Sequence, residues 1–315
     1  MAVAKRTECR RKRPQSTGET AGKPFIKWVG GKGQLLDRLA ELLPHDLGER
    51  KHLVYAEPFV GGGAMLFFML SSFPNITRAI INDLNGDLTT TYRVVKESPD
   101  DLIRILARQQ RKYRELASEE ERKAFYLAER KRYNARGLQA AETAALFIFL
   151  NRTCFNGLHR VNSKGLFNVP FGRSANPLIC DEATIRADSE LLQKVEIQNG
   201  DFEATERLLG KNSFVYFDPP YRPLTQTSAF TSYSKDGFDD EQQKRLADFC
   251  RRLDGDGHQW LLSNSDPHNV DPGDMFFEEL YEGFDVNRVS ASRMINSVAS
   301  GRGKISELAI RNYKE

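Results

Sequence analysis

The sequence predicts an α/β fold: a mostly parallel sheet with an antiparallel hairpin at one edge, interrupted by a helical insertion. Three observations carry this. Between Lys23 and Asp87, apolar runs alternate with glycine or acidic turns and helix-forming stretches. A densely charged helical block follows, from about Leu88 to Pro177. Short apolar runs then resume and continue almost to the C-terminus.

The first 22 residues lack an apolar stretch of signal-peptide type and read as a disordered basic tail. The cluster Arg6, Arg10, Arg11, Lys12 and Arg13 is either simply solvated or makes loose phosphate contacts. KPFIKWVGGKGQLLDRLAELLP reads as a short strand or loop, a glycine turn and an amphipathic helix. HLVYAEPFVGGGAMLFFML reads strand, glycine turn, helix, and RAIINDLNGDL reads strand, acidic turn, helix. The insertion, residues 88–177, contains charged helices, the apolar helix AAETAALFIFLNR, and a stretch rich in Asn, Gly, Arg and aromatics, FNGLHRVNSKGLFNVPFGRSANP. VEIQNGDF, FVYFDPPY, HQWLLSNS, FDVNRVSAS and KISELAIRNY supply the later strands, the last two as the edge hairpin. The two flanks of the insertion, 23–87 and 178–315, are expected to form one domain.

The 315 residues are 40% hydrophobic and 28% charged, the balance of a protein with a real core. No apolar run approaches the roughly 20 residues that span a bilayer. The four cysteines are scattered, without CxxC, and are expected as reduced thiols in the cytoplasm. The five histidines show no HxxxH spacing, so no metal site is expected. A net charge of +3 does not by itself announce nucleic acid.

The chemistry concentrates in two turns. After the strand Val215–Phe217 come Asp218, Pro219, Pro220 and Tyr221. Each proline fixes φ and lacks an N–H, so the turn is rigid and its carbonyls have few internal partners. A rigid row of acceptors beside an aromatic face suits a flat ligand with an exocyclic amino group. The other turn contains Gly61, Gly62 and Gly63, where a ligand can approach the backbone. It lacks GxGxxG, and GGKG at 30–33 lacks the P-loop pattern. Asp83 ends the next strand, where an acid holds a ribose diol in Rossmann-like sheets. A nucleoside cofactor without a phosphate cradle fits better than a dinucleotide, and S-adenosylmethionine is the obvious candidate.

PFIKWVGGKGQLL, EPFVGGGAMLF, INDLN, NRTCFNGLHRVNSKGLFNVPFGR, GDF, DPPY, SAFTSY and GKISELAIRNY follow one another in an order that resembles a Dam-type DNA adenine-N6 methyltransferase of the D12 class, alpha group. The likeness is greatest to the GATC-modifying type of DpnII restriction–modification systems, and it covers Lys23 to Tyr313. The resemblance implies a Rossmann-like S-adenosylmethionine-dependent methyltransferase sheet with an inserted helical DNA-recognition subdomain, acting on double-stranded DNA. No obligate protein partner is implied. On the matched positions, Trp28, Lys32, Asp83 and Asp218 would contact the cofactor, with the glycine loop from Glu57 and Pro58 through Gly61 to Gly63. Asp201 would lie near the cofactor's adenine. Phe155, Asn156, Leu158, Arg160, Pro170 and Arg173 would read the bases, with Lys27 at the outer base pair. His159 is expected to be a bystander. Asp218 and the Pro219 carbonyl would accept hydrogen bonds from adenine N6, and Tyr221 would stack on the extruded ring. Alternatives are an N-methyltransferase acting on RNA or a protein amide, whose turn more typically begins with Asn, a DNA-binding regulator with a decayed site, and an NAD-dependent oxidoreductase.

Overall fold

The computed structural model of the protein describes residues 22–28, 35–222, 238–292 and 304–314. The tail through residue 21, Lys32 and the SAFTSY segment lie outside these residues.

Seven strands form one sheet in the order β3-β2-β1-β4-β5-β7-β6. They are β1 (Leu53–Glu57), β2 (Ile76–Ile81), β3 (Val195–Ile197), β4 (Ser213–Phe217), β5 (Gln259–Ser265), β6 (Asp285–Ser292) and β7 (Lys304–Arg311). β1 to β5 pair in parallel, while β7 runs antiparallel to both β5 and β6. The expected edge hairpin is therefore present. The parallel strands are apolar nearly throughout because both faces are covered. Tyr55, Ala79, Ile81, Phe214, Tyr216 and Leu261 face one core. Ala56, Ile80, Val215, Phe217, Trp260 and Leu262 face the other.

Helices fill both sides: α1 (Leu36–Glu41), α2 (Ala64–Ser72), α3 (Gly86–Glu97), α4 (Pro99–Arg114), α5 (Glu119–Asn134), α6 (Ala140–Thr153), α7 (Glu182–Leu192), α8 (Asp240–Gly255) and α9 (Phe276–Leu280). The charged block is broken by its own chemistry. Pro99 stands at the first turn of α4, where its missing N–H costs nothing and where it stops α3. Ser118 and Glu121 form a capping box that starts α5. The apolar α6 is buried along most of its length and packs against α3, α4 and α5. The segment before the first glycine turn forms no strand: Pro24–Trp28 is loop, and α1 spans only six residues. Among the described residues no helix is long and apolar enough to cross a membrane.

Residues 22–28 are docked on α7 and α6. Asp188 of α7 is fully buried and accepts the Lys23 N–H at 3.1 Å. Its other carboxylate oxygen has no partner among the described residues. Burial pushes this carboxyl up to about 8, against the opposing Lys23 N–H. The unfolded chain sheds the same proton near about pH 3.9. Between those values the native state binds more protons, so this group's contribution to stability falls as pH rises. Asp188→Asn, which keeps an acceptor and removes the charge, is expected to raise stability at pH 8 while changing it little at pH 4. Urea melts of both proteins at the two pH values check this, and an equal difference at both would refute it.

Candidate active site

The chain runs β1, β2, β3 toward one edge, then returns to place β4 beside β1. The strand order reverses between β1 and β4, and in parallel sheets ligands bind in the crevice at such a switch point, beyond the C-terminal strand ends. Both sequence-predicted turns are there. The glycine turn follows β1, and Asp218-Pro219-Pro220-Tyr221 follows β4.

The glycine turn is held from several sides. Asp83 follows β2 and accepts the Gly61 N–H at 3.1 Å and the Asn85 N–H at 2.9 Å. Burial raises its carboxyl, and those two amides oppose the rise. The Tyr92 hydroxyl, on α3, donates to the Gly61 carbonyl at 3.1 Å. Buried Asn82 bridges the carbonyls of Pro58 and Gly200. Gly61 and Gly63 have positive φ, at 48° and 73°. A Cβ on Gly61 would stand 2.9 Å from the Trp28 ring, and one on Gly63 would stand 2.4 Å from the Tyr92 hydroxyl. The glycines thus answer to internal packing as well as to ligand approach.

The acidic turn rests on a polar scaffold that the motif does not announce. The Pro220 carbonyl accepts from Gln243 Nε2 at 3.1 Å, and Gln243 in turn accepts from Asn264 at 3.1 Å. The Arg222 N–H donates to Asn264 at 3.3 Å, and its guanidinium is held by Asp240 and Asp274. So the expectation of free carbonyls fails at Pro220. The Pro219 carbonyl accepts no hydrogen bond from the described residues. Asp218 is part-buried, and its charge acts on its surroundings. Burial and then Asp218 raise the Glu57 carboxyl well above the usual range. Glu57 is 2% exposed at the end of β1 and accepts from the Tyr55 hydroxyl at 3.2 Å.

Trp28 links this crevice to the loop after α6. It lies against Gly61 and Gly62, and its ring stacks on His159 at 5.5 Å and 23°. His159 packs among Trp28, Phe147 and Phe167, and burial lowers its pKa, favouring the neutral ring. Asn151, buried on α6, accepts the Lys27 N–H at 2.8 Å and donates to the carbonyls of Lys27 and Gly157. The Lys27 side chain remains exposed.

The loop itself closes on two antiparallel bridges, Cys154 with Phe171 and Val161 with Phe167. Phe155 is 50% exposed, though large and apolar, and Asn156 beside it has φ 54°. Arg160 and Pro170 are also exposed, whereas Leu158 is part-buried against the core. The Arg160 Nε donates to Asn168 at 2.8 Å. Arg173 pairs with Glu119 of α5 at 3.5 Å. Arg136 ties the loop to the start of α3 by bonding both Asp87 and the Gly165 carbonyl. Asp201 caps the turn after β3, and both its oxygens accept from Arg245 of α8. Arg245 holds that carboxyl below the usual range.

Sheet order, switch point and the two turns define an α/β protein with a ligand crevice at the switch point. A family model described as D12 class N6 adenine-specific DNA methyltransferase matches residues 28–295. Over 294 residues the chain is 49% identical to the Type II methyltransferase M.MjaIII of Methanocaldococcus jannaschii, covering 92% of this chain and 99% of that one. It is 41% identical to the Type II methyltransferase M1.LlaDCHI of Lactococcus lactis subsp. cremoris, covering 92% and 95%. It is 34% identical to a DNA adenine methylase of Haemophilus influenzae, covering 91% and 92%. The chain belongs to the D12 class N6 adenine-specific DNA methyltransferase family. It is an adenine-specific DNA methyltransferase, and the RNA, protein-amide and oxidoreductase alternatives fall away.

Proposed function

We propose that the enzyme is cytoplasmic and methylates adenine N6 in duplex DNA within GATC, taking the methyl from S-adenosylmethionine and flipping the target base into the crevice. The observation that carries this is the meeting of the two turns on adjacent strands β1 and β4. The residues fit such a cofactor. Glu57, Asp83 and Asp218 stand at neighbouring strand ends, where their carboxyl oxygens can accept hydrogen bonds from a nucleoside cofactor and, among the described residues, no cation is set to cradle phosphates. The buried Asn82 Oδ1, without a partner among the described residues, is a spare acceptor there. The bound cofactor supplies an electrophilic methyl group.

The chain's own residues do the rest. Adenine N6 is a poor nucleophile because its lone pair is delocalised into the ring. Asp218 and the Pro219 carbonyl accept hydrogen bonds from its two N–H groups, turn the lone pair outward and stabilise the positive charge that grows on nitrogen; one of those protons leaves after transfer, to Asp218 or to water. The rigid prolines keep the acceptors aimed. Tyr221 stacks on the extruded base, a contact worth roughly 1–3 kcal/mol. Residues 88–177 form the recognition unit, in which Phe155 wedges the stack and Asn156, Leu158, Arg160, Pro170 and Arg173 face the site, with Lys27 beside them. Lys32 completes the cofactor contacts.

Transfer of labelled methyl from S-adenosylmethionine to duplexes with and without GATC tests the proposal. Equal labelling of both would overturn the site assignment. Trp28→Ala and Asp83→Ala are expected to weaken cofactor binding by about tenfold or more while leaving duplex affinity within a few fold, since each removes a wall of the cofactor turn. Calorimetric titration decides it, and unchanged cofactor affinity in both variants would remove these residues from the site.

A further inference from the structure

The Tyr221 hydroxyl donates a hydrogen bond to the Glu307 carboxylate. Glu307 lies on β7, opposite Ser265 of β5 and Val289 of β6, so ladders on both sides fix its backbone. The Pro220 carbonyl and the Arg222 N–H are held by neutral side chains, the amides of Gln243 and Asn264. At the tyrosine the holder is an acid, although Asp218 already stands on the same turn and its charge reaches the phenol. Two acids around one part-buried phenol repel each other. For stacking alone, a phenylalanine without any acceptor would suffice. The arrangement makes sense if the acid acts on the ring.

Burial first, then the charges of Asp218 and Glu307, push the Tyr221 phenol up, so it stays protonated and remains a donor. A phenol donating to a carboxylate shares its proton and returns electron density to its ring. The π-face becomes a better partner for positive charge. Adenine is neutral when it stacks and becomes cationic as N6 takes the methyl. A more electron-rich ring therefore favours the transition state over the ground state.

We propose that Glu307 is a positioning residue for methyl transfer: it anchors the Tyr221 hydroxyl and enriches its ring, so that the ring stabilises the charged adenine. This rests on the reading that Tyr221 stacks on the target base. The test compares the wild type with Tyr221→Phe, Glu307→Gln, Glu307→Ala, Tyr221→Ala and the Tyr221→Phe/Glu307→Ala double variant. Two quantities are measured: the single-turnover methylation rate on a GATC duplex, and affinity for a duplex whose target adenine is replaced by fluorescent 2-aminopurine. Tyr221→Phe and Glu307→Ala are each expected to slow transfer about tenfold, the effect of losing a charge-assisted hydrogen bond, with duplex affinity within about twofold. The double variant is expected to be no slower than either single one, because both remove the same interaction. Glu307→Gln, which keeps an acceptor without the charge, should fall between wild type and Glu307→Ala.

If the double variant multiplies the two single effects, Glu307 acts on the strand and not through Tyr221, and the proposal is overturned. A wild-type rate in both Tyr221→Phe and Glu307→Ala, with Tyr221→Ala strongly slowed, overturns it too while leaving the stacking reading intact. A wild-type rate in Tyr221→Ala would instead remove the stacking on which it rests.

Discussion

Asp218→Ala is expected to lower methyl transfer by about a thousandfold or more, the scale of removing a preorganised acceptor aimed at developing charge, while the protein stays folded. The side chain follows β4 and contributes nothing to either core cluster. Burial raises the Glu57 carboxyl and the phenols of Tyr55, Tyr216 and Tyr221, and the Asp218 charge adds to each rise. The melting curve of the variant checks that the fold is kept. Loss of activity with unchanged or improved stability is the mark of a residue kept for chemistry. Asp218→Asn should retain more activity than Ala, since an amide oxygen still accepts one hydrogen bond from N6. A folded Asp218→Ala enzyme turning over near the wild-type rate would refute the mechanism.

The sheet was readable because each parallel strand is a short apolar run followed by a turn that cannot continue it. The Gly61–Gly63 and Asp218–Tyr221 turns stand out for the same reason, since residues with unusual backbone demands are visible without their partners. The scaffold beneath the turns was not visible. Gln243, Asn264 and Glu307 are ordinary polar residues in sequence, and they reach the turn only because distant segments pack together. Gln243 did carry a signal. It falls on the face of α8 shared with Leu246, Ala247 and Cys250, and a polar residue at a core-facing position needs a partner. Asn151 carries the same signal on the apolar α6, where it clamps Lys27 to the loop. The packing of His159 was not legible because one histidine beside a predicted base-reading arginine has no spacing to mark it. Its partner, Trp28, is more than a hundred residues away. The breaks in the helical block were legible only in part: Pro99 marks one, while the start of α5 depends on a capping box easily lost among glutamates.

Arg160→Ala is expected to relax site choice, not merely to weaken the enzyme. Arg160 is exposed on the loop closed by Val161 and Phe167, and its Nε is held by Asn168 at 2.8 Å. With one edge of the guanidinium fixed by protein, the fork is aimed before DNA arrives, which lowers the entropy lost on binding. A fork so held suits the two acceptors of a guanine, a contact worth roughly 1–3 kcal/mol against the wrong base. Methylation of duplexes altered at one outer base pair should therefore rise about tenfold or more relative to GATC, with cofactor affinity unchanged. Asn168→Ala, which removes the Nε contact and leaves only the bond to the residue-168 carbonyl at 3.4 Å, should give a weaker version of the same change. Rates on GATC and on every single-substitution duplex measure both. If Arg160→Ala slowed all duplexes by one common factor, the residue would be a phosphate contact and the reader would be elsewhere. Of the other candidates, Arg173 is engaged with Glu119, whereas the Lys27 side chain is exposed and lies against Gly157. Base reading would then move to Lys27, and Lys27→Ala should produce the relaxed profile in its place.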